Sequence, residues 1–506
     1  MASASNLISS REIAKHNTAT DCWIVVENQI WDVTKFISEH PGGPAIILKY
    51  AGRDATVPYS EIHAPDIIKN TLSPDELKGV LDLSTVDDAW LNSLPQTTST
   101  QGASGKNEIP PLVSLISARD FEVVASETTT EKTWAFISSA SNDLITKDAN
   151  KSFFDRIWFR PRVLRNVRVV DTKSKIMGCN VSMPLFVSPS AMAKLVHPDG
   201  ELAISRACAA RGIVQGISNN SSYAIKDVTE AGGPSSSFFF QLYVNQDRSK
   251  SAALLKECSE NPRVKAVFIT VDAAWPGKRE ADERIRADES ITVPMSPSTV
   301  HNDSKGGGLA RTMSSFIDPG LTWEDLVWAR KHTHLPLILK GVMSADDAIM
   351  AMEAGMDGIL LSNHGGRNLD TSPPSIVSLL ELHKRCPEIF DRMEIYVDSG
   401  IRRGTDILKA IALGATAVGM GRSVLYATNY GQNGVEHLFD IMQDELEGAM
   451  RLVGITSLDQ AGPELVNTAD IDHLVPSSTS HPYARAIARG RRPSGLWTRN
   501  PRASRL

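Results

Sequence analysis

Cysteine is scarce and scattered. Cys22, Cys179, Cys208, Cys258 and Cys386 are the five in 506 residues, an odd number without metal-type spacing. That fits a reducing compartment and argues against a disulfide framework or a zinc site. No apolar run reaches the ~18–20 residues that a membrane span needs. Positive charge is not in excess: 53 Lys and Arg stand against 59 Asp and Glu, a formal net charge of −6. This argues against nucleic acid as a partner. Wholesale disorder is excluded too, because 42% hydrophobic and 22% charged residues are ordinary for a folded chain. No solenoid-type repeat is present. Met1 to Asn6 show neither an apolar secretory core nor the Arg-rich leader of a mitochondrial protein.

What is there divides once, clearly. Pro95 to Asn107 (PQTTSTQGASGKN) holds no large apolar residue, which is linker chemistry. The expected organisation is a small domain over 6–84, a flexible linker over 85–110, a large domain over 111–475 and a tail over 476–506. From His481 that tail carries seven arginines and no acid. It ends Ser504-Arg505-Leu506, a conservative relative of the Ser-Lys-Leu peroxisomal address. The expected location is therefore the peroxisome or the cytosol.

In the large domain short apolar runs recur: 184–188, 212–218, 238–244, 266–272, 335–342, 358–363, 394–399 and 417–422. Each has the length of a strand buried on both faces. Amphipathic stretches at 198–211, 344–355 and 405–414 lie between them and end at glycine or a basic residue, as helices do. Eight strands alternating with helices fit a (β/α)8 barrel, and a doubly wound sheet shows the same alternation. The polar residues favour the barrel. They fall at the C-terminal ends of the runs, which in a barrel converge on one mouth.

Those strand ends carry chemistry. Ser362-Asn363-His364-Gly365-Gly366-Arg367 sets a titratable base and a guanidinium three residues apart. An imidazole with a pKa near ~6.5 suits proton abstraction at neutral pH, and arginine suits bidentate capture of a carboxylate. Alone, this hexapeptide is more often a loop; among the other strand ends it is informative. Asp272 is placed to pair with His364, and Arg279 is a second carboxylate clamp. Asp398-Ser399-Gly400-Ile401-Arg402 and Gly421-Arg422 follow the last two runs, where barrels usually bind phosphate. Lys340 would set a positive charge against a reduced flavin ring. In the small domain, His40-Pro41-Gly42-Gly43 follows an apolar-aromatic stretch and precedes His63. Two imidazoles fill both axial positions of a haem iron, although HPGG by itself is equally a surface turn. Pro58 would kink or shorten a helix before His63.

The pattern from Asp21, Trp23, Asp32-Val33-Thr34, Phe36 and His40-Pro41-Gly42-Gly43 to Ala51-Gly52, Asp54-Ala55-Thr56 and His63 resembles the cytochrome b5 haem domain. Pro189-Ser190-Ala191-Met192, Gln241-Leu242-Tyr243, Thr270-Val271-Asp272, Arg279, Leu339-Lys340-Gly341, Ser362 to Arg367, Asp398 to Arg402 and Gly421-Arg422 resemble the FMN-dependent α-hydroxy acid dehydrogenase and oxidase family. The double resemblance implies an α/β (β/α)8 barrel behind a small α+β haem domain, with FMN and haem b as cofactors. It implies His364 as base with Asp272, and Tyr243, Arg279 and Arg367 on the substrate. It assigns Ser190, Ala191, Ser218, Gln241, Thr270, Lys340, Ser362, Asp398, Gly400, Arg402, Gly421 and Arg422 to FMN, and His40 and His63 to iron. The implied reaction takes a lactate-like L-2-hydroxy acid to the 2-oxo acid, with electrons passing through haem to cytochrome c or another one-electron acceptor. A homotetramer is implied as well. The alternative is an oxidase that releases hydrogen peroxide; an intact His364, Asp272 and Arg367 set disfavours a non-catalytic redox module. Where the family keeps a carboxylate-binding tyrosine this chain has Phe136, Ser399 replaces a usual glycine, and Asn219-Asn220 is unfamiliar. A larger 2-hydroxy acid than lactate is therefore expected.

Overall fold

The structure, a computed structural model, describes residues 6–37, 40, 44–48, 50–56, 59, 67–87, 90, 109–289, 291, 302–304 and 306–477. Pro58, His63 and the basic tail lie outside the described residues. The chain forms two compact units, Met1–Gly105 and Lys106–Leu506.

In the small unit, Asp21–Val26 and Gln29–Asp32 pair antiparallel, with Val26 opposite Gln29. The two residues between them, Glu27 and Asn28, have φ of 50° and 63°. A turn with both central residues left-handed matches the twist of the strands it joins. Leu77–Leu81 extends the sheet antiparallel, and Leu7–Ile8 runs parallel beside it. Alternation along these strands feeds two apolar faces. Ile24, Val26 and Trp31 pack with Val33, Ile37, Ile47 and Leu72 on one; Val25, Ile30 and Leu81 pack with Ile13 on the other. On the first face Phe36, Leu48 and Tyr59 are only partly covered. His40 stands there, its ring edge-on to Phe36 at 5.7 Å.

The large unit is a closed barrel of eight parallel strands. They are β1 (Leu185–Ser190), β2 (Val214–Ser218), β3 (Phe238–Leu242), β4 (Val264–Thr270), β5 (Leu337–Val342), β6 (Gly358–Leu361), β7 (Glu394–Val397) and β8 (Ala417–Met420). Every expected run contributes its strand. The expected helices form at Gly200–Arg211, Ala345–Glu353 and Gly404–Ala412. Ser344 caps the second through the Asp347 N–H, and Gly212 ends the first at φ 63°, the left-handed stop that favours glycine.

Successive side chains of a strand point to opposite faces, and the sequence uses this to build layers. Phe186, Val214, Phe239, Phe268, Ile338, Leu360, Tyr396 and Ala417, one per strand, fill the barrel interior as a floor. The hairpin of Ser174–Ile176 with Cys179–Val181 contributes Ile176 and Val181 to the same cluster. The alternate residues, such as Phe238 and Phe240, Val267 and Ile269, or Leu337 and Leu339, join the core under the helices. Phe186 lies 5.7 Å from both Phe268 and Tyr396, centroid to centroid. Truncating it leaves a hole that neighbours on rigid strands cannot close. Phe186→Ala is expected to destabilise the barrel unit by about 3–5 kcal/mol, read as a lower denaturant midpoint of that unit with the small unit's transition unchanged.

Candidate active site

Two residues beyond each floor residue the same parity returns to the interior, now at the mouth. These positions are Ser188, Gln241, Thr270, Lys340, Ser362, Asp398 and Gly419, with Ser218 four residues beyond Val214. Lys340 was expected to end its strand. It lies inside β5, which continues to Val342, and the register sets it opposite Thr270. Ser218 is likewise opposite Gln241. Gln241 donates to Thr270 at 2.9 Å and accepts from Ser218 at 3.3 Å.

His364 follows β6 with φ 58°. Its Nδ1 is 3.0 and 3.2 Å from the two Asp272 carboxylate oxygens, and its Nε2 is 3.3 Å from the Tyr243 hydroxyl. Lys340 Nζ is 3.3 Å from Nδ1, 3.3 Å from Ser362 Oγ and 3.9 Å from Asp272. An ammonium has no lone pair and a carboxylate accepts only. The arrangement that satisfies all three puts the proton on Nδ1, directed at Asp272, and leaves the Nε2 lone pair facing the cavity. Burial tends to raise Asp272, but Lys340 and His364 outweigh it and hold the carboxylate below its ordinary range. Burial and the Lys340 charge hold His364 below the usual imidazole value against the pull of Asp272. At neutral pH the ring is a neutral base.

Three guanidinium groups share this cavity, which has a volume of about 360 Å3. Arg367 donates to the Ile137 carbonyl, Arg279 to the Arg367 carbonyl at 3.4 Å, and Arg422 to the Ser139 and Gly365 carbonyls at 2.9 and 2.7 Å. None of the three forms an ion pair among the described residues. Burial and mutual repulsion lower all three pKa values, Arg367 most. Arg422 Nε is also buried without a partner. Unpaired buried charge is costly, so the cavity is built for anions. At its other end Asp398 accepts from Ser188 and Ser399 at 3.2 and 2.8 Å. A Cβ on Gly419 would stand 2.3 Å from Ser188 Oγ, and one on Gly400, at φ +102°, 2.2 Å from the Asn150 carbonyl. Only glycine keeps those walls clear.

Of the residues singled out from the sequence, Tyr243, Arg279, Arg367, Phe136, His364, Lys340, Ser190, Ala191, Ser218, Asp398, Gly400, Arg402, Gly421 and Arg422 line the cavity. Gln241, Thr270, Ser362 and Asp272 stand behind the wall and act on it through hydrogen bonds. Phe136, on the helix Glu131–Ser138, is buried with the Arg367 guanidinium 6.0 Å from its ring centre. Arg402 is already paired with Glu122.

Glu122 and the wall residues Lys147 and Asn150 were not legible. They belong to helices Ala118–Thr128 and Ile145–Asp155, ahead of the barrel. The second helix is tied to the β6 loop at two points. Asn150 and Asn363 exchange amide hydrogen bonds at 2.8 and 2.6 Å, and Asp370 accepts from the Asp143, Ile145 and Thr146 N–H groups. The one available signal was Asn363 and Asp370 flanking the His364 motif.

A family model for FMN-dependent dehydrogenase matches residues 125–468, and one for the cytochrome b5-like heme/steroid binding domain matches residues 9–82. The chain belongs to the FMN-dependent dehydrogenase family and carries a cytochrome b5-like domain in front of the barrel; its cofactors are FMN and haem. It is similar to the L-lactate dehydrogenase (cytochrome) of Saccharomyces cerevisiae, 38% identical over 478 residues, 92% of this chain and 80% of that one. Among solved structures it resembles a mutant flavocytochrome b2 with benzoylformate, with TM-score 0.66 and 38% identity over 75% of this chain and 92% of that one. It also resembles mandelate oxidase with (S)-4-hydroxymandelic acid, with TM-score 0.65 and 34% identity over 70% of this chain and 98% of the other.

The residues present fit FMN: unpaired guanidinium groups and glycine-lined strand ends suit a phosphate, and the Ser218–Gln241–Thr270 chain suits a polar ring edge. The half-covered apolar face around His40 suits a haem. Arg422→Met removes a charge that has no carboxylate to release, so the barrel should fold while FMN affinity falls about tenfold or more, the scale of one lost charge-assisted contact. Flavin absorbance retained after dialysis measures it.

Proposed function

We propose that this protein oxidises an L-2-hydroxy acid to the 2-oxo acid and delivers the electrons through haem to a one-electron carrier such as cytochrome c. The observation that carries the reading is the cavity itself. A neutral His364, with Nε2 open and Nδ1 anchored on Asp272, shares it with buried guanidinium groups that lack an anion. Arg367 and Arg279 hold the substrate carboxylate, which settles both charges. The Tyr243 hydroxyl, 3.3 Å from Nε2, orients the substrate hydroxyl beside the base. His364 Nε2 takes one proton; Asp272 then faces the imidazolium and stabilises it. The acid loses two electrons and two protons in all. FMN, when bound, accepts the electron pair and releases electrons singly. Lys340 keeps positive charge beside the site of reduction. His40 and His63 are proposed as the axial haem ligands, and a homotetramer as the assembly.

The likeness to mandelate oxidase supports a second reading, with oxygen as acceptor and hydrogen peroxide as product. Anaerobic stopped flow tests the first. L-lactate or a larger 2-hydroxy acid should bleach the flavin before the haem Soret band shifts; turnover that consumes oxygen but leaves cytochrome c oxidised selects the oxidase.

His364→Gln should retain FMN and lose substrate-driven flavin reduction by about 10²-fold or more. In the wild type, kcat/KM should fall on the acid side, because the active form is the neutral ring. Since His364 is held below 6.5, that limb belongs below pH 6.5. An acid limb centred above it would remove His364 from the base role.

Phe136 offers no hydrogen bond to the substrate carboxylate. Phe136→Tyr restores a donor next to Arg367 and takes space. It should raise kcat/KM for L-lactate relative to bulkier 2-hydroxy acids by roughly five- to thirtyfold. Steady-state kinetics with the two substrate sizes gives the ratio.

A further inference from the structure

Asn219 and Asn220 are adjacent in sequence but differently employed. Asn219 is structural: its N–H donates to Gln241 Oε1 at 3.2 Å and its Oδ1 accepts from the Tyr243 N–H at 3.1 Å. Asn220 lines the active cavity and is 4% exposed. Its main chain is pinned, the N–H to Ser218 Oγ at 3.1 Å and the carbonyl to the Met192 N–H at 3.1 Å. Its Nδ2 points at the Met313 carbonyl, 3.5 Å away at the end of the helix Leu309–Met313. Reversing the amide would set two acceptors against each other. Oδ1 is therefore the atom left over, buried without a partner. Such an acceptor carries a desolvation cost that only a donor relieves.

Resting on the hydroxy-acid reading above, we propose that Asn220 Oδ1 reads the substrate's side chain. The favoured substrates then carry a hydroxyl donor on the carbon next to C2. Arg279 and Arg367 take the carboxylate and His364 and Tyr243 the C2 hydroxyl, which leaves the C3 substituent for the remaining polar wall. A site built to accept from a hydroxyl discriminates strongly against an analogue of equal size without one.

L-glycerate and L-2-hydroxybutanoate form such a pair, CH2OH against CH2CH3. The wild type should favour L-glycerate in kcat/KM by about tenfold or more, followed as flavin bleaching. Asn220→Leu should reverse the preference, and Asn220→Ala should bring it near unity, each with wild-type FMN content by absorbance. The ratio of two kcat/KM values is independent of the folded fraction, so partial misfolding does not obscure it. If neither variant folds, the wild-type ratio alone decides. An unchanged ratio in the variants, or a wild type that favours the alkyl acid, overturns the assignment. Loss of FMN at an unchanged ratio also overturns it, and gives Oδ1 to the cofactor instead. If L-lactate bleaches the flavin and the wild type shows no preference within the pair, only this inference fails. If no 2-hydroxy acid bleaches it, the proposed function fails first.

Discussion

Alternation in eight parallel strands is the constraint on which the rest depends. A residue and its second neighbour face the same way, so a floor residue fixes what stands above it at the mouth. Phe239 under Gln241, Phe268 under Thr270, Ile338 under Lys340 and Tyr396 under Asp398 are instances of one rule. Slipping one strand by a residue would turn its polar group outward into the apolar layer beneath the helices and an aromatic into the mouth. The floor therefore does more than stabilise. It sets the depth and register of the chemistry.

Electrostatics supplies the second constraint. Asp272, His364 and Lys340 form a compact charge set whose members settle one another. Arg279, Arg367 and Arg422 have no such partner and rest on main-chain carbonyls. Where charge is compensated the structure has finished its own business; where it is not, a ligand is expected. Arg402, paired with Glu122, shows the contrast within one cavity. Asn220 repeats the logic with a neutral group: every polar atom of its main chain is used, and Oδ1 is not.

Much of this was legible because strands buried on both faces leave short apolar runs, and because function at a barrel mouth concentrates at their ends. His364, Arg367, Asp272 and Arg279 could be named from type and position alone. Glu122, Lys147 and Asn150 could not. They reach the cavity from helices that precede the barrel, and an amphipathic helix carries no mark of which polar residue meets a site hundreds of residues away. The Asn150–Asn363 exchange spans 213 residues of sequence. No local pattern encodes such a pair.

The sequence by itself determined the eight runs, the glycines that open the walls and the inventory of base, acids and arginines, because period, size and charge are properties of the residues in order. Only the tertiary structure decided how they are used. It showed that the Asp272 carboxylate faces Nδ1 rather than Nε2, that Gln241 and Thr270 stand behind the wall instead of on it, and that of two neighbouring asparagines one is consumed and the other left open. Those outcomes depend on which groups already hold partners. Partnership is a matter of distances of about 3 Å between atoms far apart in the chain, and the order of residues does not contain it.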